Sequence, residues 1–195
     1  MLVGILKEIK VLEKRVCMTP AGVIAMKQNG HDIMVEKDAG AGAGFPDAEY
    51  IEAGATIADT PDEIFAKCDM VMHVKEPQPS EYEMIREDQI VFTYLHLAAD
   101  EQQTRALIDR KSINIAYETI EKDNGSLPLL VPMSEVAGRM ATQEAAKYLE
   151  MPQGGMGVLL GGVTGVEPST VVVIGGGVVG INAAKMACGL GAKVY

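Results

Sequence analysis

Near the C-terminal end of the sequence, Gly175, Gly177 and Gly180 are spaced as G-x-G-x-x-G directly after the apolar, β-branched run Val171-Val172-Val173-Ile174. Ile181 to Leu190 then reads as a helix that starts near Val178, and Gly191-Ala192-Lys193-Val194-Tyr195 opens another strand. In that context one glycine turns the chain, one lets a pyrophosphate approach the backbone, and one lets the helix close on the strand. The anion would rest on the unbonded N–H groups and the positive dipole end of the helix. Gly175, Gly177, Val178, Val179 and Gly180 are therefore the expected dinucleotide-binding residues. The plainer alternative is a tight strand-to-helix turn that binds nothing.

A second set of chemically capable residues lies earlier. Arg15 falls in the charged connection after the opening strand, Lys75 directly follows Val74, and His96 directly follows Leu95. In an open α/β sheet, ligands gather outside the carboxyl ends of the strands. Three basic or titratable side chains from three separate strand–helix units are thus aimed at one sheet edge. Each also has an ordinary reading. Arg15 could be a solvated charge among Glu13 and Lys14, Lys75 could pair with Glu76, and His96 could be a hydrogen-bonded group beside Tyr94.

The elements that must position them follow from patterning. Strands are expected at about Leu2 to Leu6, Asp32 to Glu36, Thr56 to Ala58, Met70 to Val74, Gln89 to Leu95 and Ile113 to Tyr117. Between them, Thr19-Pro20 opens a helix that Gly30 closes. Asp47 to Ala53 is a short helix, Thr60-Pro61-Asp62-Glu63 fits a capping box leading to Lys67, and Ser80-Glu81-Tyr82-Glu83 fits another. Asp100 to Lys111 is helical. Ala39 to Gly44 reads as a flexible loop, and Asn124-Gly125 predicts a small hairpin between Ile120 and Leu129. This alternation predicts a parallel α/β sheet. After Pro132, Ser134 is expected to cap a long helix over Glu135 to Glu150. The expected division is an incomplete substrate domain over 1–133, a linking helix over 134–150, and the start of a Rossmann dinucleotide-binding domain over 151–195.

Composition narrows the function classes. A net charge of −10 argues against nucleic acid or an anionic membrane as partner, because both demand basic patches. Cys17, Cys68 and Cys188 are too scattered for a metal motif or a disulfide framework, which fits a reducing, cytoplasmic setting. No apolar run approaches the 18 or so residues a membrane-spanning helix needs. The acidic residue that selects the ribose belongs about 20 residues past the glycines, and the chain reaches only Tyr195. The expectation is an N-terminal piece of a longer protein in which NAD and NADP cannot be told apart from the residues.

Several segments carry a family resemblance: Gly4-Ile5-Leu6-Lys7-Glu8-Ile9-Lys10, Arg15-Val16-Cys17-Met18-Thr19-Pro20, Val74-Lys75-Glu76-Pro77, Thr93-Tyr94-Leu95-His96-Leu97-Ala98-Ala99-Asp100, Tyr117-Glu118-Thr119 and Pro132-Met133-Ser134-Glu135-Val136-Ala137-Gly138-Arg139. They resemble alanine dehydrogenase along essentially the whole chain. The related transhydrogenase α-subunit shares the Arg-Val…Thr-Pro element but generally lacks the Lys-Glu-Pro and Leu-His-Leu-Ala-Ala-Asp signatures.

The resemblance implies an NAD-dependent oxidoreductase that converts L-alanine reversibly to pyruvate and ammonia. It implies substrate binding by Arg15, Lys75, Tyr94 and Met133, catalysis by His96 with Lys75, coenzyme contact by Ser134, and a homo-oligomer, a hexamer. These roles suit the residue types: a planar guanidinium pairs bidentately with a carboxylate, and free imidazole titrates at about 6.5. A transhydrogenase-type subunit and a non-catalytic fragment or interaction module are the alternatives. The 195-residue chain by itself is expected to be inactive, because the family's second catalytic carboxylate lies beyond Tyr195.

Overall fold

The computed structural model describes residues 1–195, and the chain divides into two compact units, Met1–Thr119 and Ile120–Tyr195. In the first unit, strands β1 (Leu2–Ile5), β2 (Asp32–Glu36), β3 (Thr56–Ala58), β4 (Met70–Met72), β5 (Ile90–Thr93) and β6 (Ile113–Ala116) form one sheet. The order is β3-β2-β1-β4-β5-β6, and every pairing is parallel. A parallel sheet must be covered on both faces, and the packing shows it. Val3 and Ile5 of β1 join Val35 of β2, Val23 of α1 (Pro20–Gln28) and Tyr50 of α2 (Asp47–Glu52) in one core. Leu6, Val71 of β4 and Val91 of β5 join Ile64 and Phe65 of α3 (Pro61–Lys67) and Leu107 of α4 (Glu101–Arg110) in the other.

Local chemistry explains the element ends. Thr19 caps α1 by accepting from Gly22 N–H, and Asp100 caps α4 by accepting from Gln103 N–H. Gly4 is needed for closeness, since a Cβ there would stand 2.3 Å from Cγ2 of Ile64. β1 can therefore lie directly under α3.

Several expectations need correction. Thr60 makes no side-chain cap bond, and the Ser80–Glu83 segment forms only a 3-10 turn at Tyr82–Met84. The Ala39–Gly44 run is an ordered 3-10 turn at Ala41–Ala43, closed by Gly40 C=O accepting from Phe45 N–H at 3.0 Å. No hairpin forms around Asn124-Gly125; Lys122 and Ser126 close a turn that no strands extend.

In the second unit, α5 (Val131–Tyr148) packs along α6 (Val178–Gly189), and β7 (Thr170–Val171) pairs in parallel with β8 (Lys193–Val194). The helix expected to link two domains therefore belongs to the second one. It also starts earlier than expected. Pro132 occupies the first turn, where a missing N–H costs nothing, so Ser134 lies inside the helix with its N–H on Leu130 C=O. The Val171–Ile174 run is not a buried strand throughout: Val172 is 67% exposed and Ile174 97%. The chain has no helix long and apolar enough to cross a membrane.

Candidate functional site

In the strand order of the first unit, β1 has β2 on one side and β4 on the other. That reversal is the switch point, where connections leave in opposite directions and open a crevice outside the carboxyl ends. The loop after β1 carries Glu8, Glu13 and Arg15, the loop after β4 carries Lys75, and the loop after the adjacent β5 carries Tyr94 and His96.

Arg15 is paired within its own loop. Its Nε and Nη2 donate to the two carboxylate oxygens of Glu13 at 2.8 and 2.7 Å, a bidentate fork. Those bonds hold the Glu13 carboxyl well below the usual range, at about 2, against the upward push of partial burial. The Lys75 ammonium adds to the same pull. Glu13 and Lys75 line one open cleft of about 650 Å³, and Glu13 and Arg15 line a smaller adjoining hollow. Arg15 also acts electrostatically on Tyr94, whose ring stacks on His96 with centroids 6.4 Å apart and planes 20° from parallel. Burial raises the Tyr94 phenol above its ordinary value. The pairing of Lys75 with Glu76 does not form; Glu76 takes Lys10 instead.

Carboxylates fix the backbone of this crevice. Glu8, just after β1, accepts from Val74 N–H at 2.5 Å and from Lys75 N–H at 3.2 Å. Glu118, just after β6, accepts from Leu95 N–H at 3.2 Å and His96 N–H at 2.8 Å. His96 has φ 49° and ψ 38°, the left-handed region, which non-glycine residues occupy uncommonly. A carboxylate holding two successive N–H groups is what keeps that turn in place. Neither acid has a role in the sequence analysis beyond membership of a segment that carries the family resemblance. The available signal was an acid immediately after a strand, one strand away from the residue it holds.

The second unit gathers the other expected residues. Ser134, Gly175, Gly177, Val178, Val179 and Gly180 all line one cavity of about 590 Å³, whose remaining walls include Thr142, Leu160 and Ala183. Met133 lies beside Ser134 in the first turn of α5. Gly175 has φ +106°, and a Cβ on Gly180 would lie 1.9 Å from Gly175 O, so the turn tolerates no side chain there. Gly176 and Gly177 face open space, and no side chain caps α6. Its first N–H groups are left available to an anion, so the residues present suit a dinucleotide pyrophosphate.

Comparison with known proteins agrees in family. The alanine dehydrogenase/PNT N-terminal domain matches residues 4–137, and the alanine dehydrogenase/PNT C-terminal domain matches residues 141–195. A curated alanine dehydrogenase from Methanococcus maripaludis is 57% identical over 194 residues, covering 100% of this chain and 52% of that protein. The chain thus spans about half the length of the curated relatives it matches. A solved L-alanine dehydrogenase structure aligns with TM-score 0.88 and 51% identity over 98% of this chain and 53% of its own. A transhydrogenase from Sinorhizobium meliloti aligns with TM-score 0.79 and 27% identity over 100% of this chain and 57% of its own. With its doubly covered parallel sheet, its switch-point crevice and its glycine turn, the chain belongs to the alanine dehydrogenase/PNT family.

Proposed function

We propose that this chain carries the substrate-handling residues and the pyrophosphate turn of an NAD-dependent alanine dehydrogenase. The reaction is the reversible conversion of L-alanine and water to pyruvate and ammonium, with one hydride passed on and one proton released. The observation that carries the reading is the Arg15 fork at the switch point, which already holds a carboxylate, that of Glu13, beside Lys75. A substrate carboxylate would exchange with Glu13 for the same two N–H donors. Lys75 would give the substrate a second cationic contact and polarise the developing carbonyl. The bound coenzyme supplies the hydride acceptor.

Once the α-carbon is an iminium, water adds to it while His96 takes the water's proton. His96 then gives that proton to the departing amine, ammonia leaves, and the freed imidazole takes the hydroxyl proton as the carbonyl forms, passing it to solvent. Tyr94, stacked on His96, would orient the imidazole, and Met133 would line the substrate pocket. Ser134, Gly175, Gly177, Val178, Val179 and Gly180 would hold the coenzyme. Under the same proposal the whole protein is cytoplasmic and homo-oligomeric, a hexamer on the family resemblance.

The test uses the full-length protein that carries this chain. His96→Ala should lower alanine-dependent turnover by about 10²–10⁴-fold with coenzyme affinity unchanged. Near-normal turnover overturns the role of His96. Hydride exchange between two dinucleotides without alanine would favour a transhydrogenase-type activity instead.

A further inference from the structure

His73 is a buried imidazole one position past β4, and the proposed reaction does not use it. Its Nδ1 is 3.4 Å from Oε1 of Glu8 and its Nε2 is 3.1 Å from Oε1 of Glu81; all three side chains are 3–6% exposed. Each of these acids also grips backbone. Glu8 takes the N–H groups of Val74 and Lys75, and Glu81 Oε2 takes Gln78 N–H at 2.7 Å. The far side of Lys75 is held as well, because its carbonyl accepts from Thr93 Oγ1 at 2.8 Å. The 73–81 segment is therefore anchored at both ends by carboxylates, with one imidazole between them.

We propose that Glu8 is a positioning residue for Lys75, and that His73 holds Glu8 in place by bridging it to Glu81. This rests on the proposed role of Lys75 as a substrate contact. Two carboxylates this deeply buried would repel each other and pay heavily for lost hydration unless a cation stood between them. Burial pushes the His73 pKa down, but the hydrogen bond to Glu8 and the negative charges of Glu8 and Glu81 outweigh it and lift the pKa to about 9. The other charged groups around it are Glu36, whose carboxyl is raised by burial and takes Lys7 N–H, and the Lys7 ammonium beyond. An imidazolium here lets Glu8 stay ionised, and an ionised Glu8 offers an oxygen to each of two successive N–H groups. Charge-assisted bonds of this kind are about twice as strong as neutral ones.

The experiment uses full-length protein with three variants: Glu8→Gln, Lys75→Ala, and both together. Glu8→Gln keeps the shape but gives up the charge and one acceptor. We expect it to raise the KM for alanine and for pyruvate about ten-fold, the scale of one lost charge-assisted bond, with coenzyme Kd unchanged. The double variant should be no worse than Lys75→Ala alone, since Glu8 acts through Lys75. The imidazole signal of His73 in NMR should titrate near 9 in the wild type and distinctly lower in Glu8→Gln. Additive effects in the double variant, or a folded Glu8→Gln with unchanged KM, overturn the inference. Lys75→Ala with normal KM overturns the substrate role of Lys75 and leaves Glu8 nothing to position. If Glu8→Gln does not fold, Glu81→Gln serves. It should lower the His73 titration and raise KM less, and no change in either refutes the bridge.

Discussion

Gly138 separates two effects of opposite sign, which makes Gly138→Ala a sharp test of the second unit. On helix propensity alone the change should stabilise, because alanine is about 1 kcal/mol better than glycine in a helix interior. The packing argues the other way. Gly138 is buried on α5, and a Cβ there would lie 2.3 Å from the carbonyl oxygen of Val179 and 2.8 Å from Cβ of Asn182, both on α6. An ordinary carbon–oxygen contact is about 3.3 Å or more, so α6 would have to retreat by about 1 Å. The obstructing atom is backbone and cannot rotate away.

Overpacking of this kind costs about 1–3 kcal/mol, occasionally more. At the middle of that range, the propensity gain leaves a net loss of about 1 kcal/mol. The retreat would also disturb the bonds from α5 to α6, Arg139 Nε to Asn182 Oδ1 at 3.3 Å and Thr142 Oγ1 to Ala183 O at 3.0 Å. Chemical denaturation followed by circular dichroism gives the free energy, and a unit of this size shifts its Tm by about 4–8 °C per kcal/mol. Because α6 presents the glycine turn, coenzyme affinity should fall with stability. A variant that is more stable than wild type by about 1 kcal/mol would show that propensity decides and that the helices are not in such close contact.

Two further outcomes are expected. Arg15→Lys should raise KM for alanine and pyruvate together, because an ammonium cannot reproduce the planar fork now closed on Glu13; an unchanged KM in steady-state kinetics would leave the fork a structural bond to Glu13 with no part in substrate binding. The His73 imidazolium should make the first unit lose stability at high pH. Its folded pKa of about 9 exceeds the ordinary 6.5, so its contribution is complete below about 6.5 and disappears as pH rises through about 9. The full shift corresponds to about 3 kcal/mol, and urea denaturation at pH 7 and pH 10 of wild type and His73→Gln measures it. The same pH slope in both proteins would refute the assignment.

Much of the site's framework is local and could be read from residue order. Beta-branched runs alternate with capped amphipathic segments, so the six strands and the helices between them are legible within a residue or two; β2 and β3 coincide with their expected limits. The glycine turn announces itself: Gly175 has φ +106°, Gly180 lies against the Gly175 carbonyl oxygen, and Gly177 between them faces open space. The order of the strands is different. It depends on which faces can be buried against helices far away in sequence, and only the folded sheet puts β1 against β4 and opens the crevice between them. Which acid anchors which strand end depends on the same long-range pairing. Glu8 holds Lys75 across 67 residues and Glu118 holds His96 across 22. Glu13, by contrast, is two residues from Arg15, yet nothing in the sequence says the fork will close on it. Periodicity and spacing determined which elements form and where each reactive side chain is carried. Long-range parallel pairing, driven by burial on both faces of the sheet, decided which of those side chains share an edge and which acids hold them there.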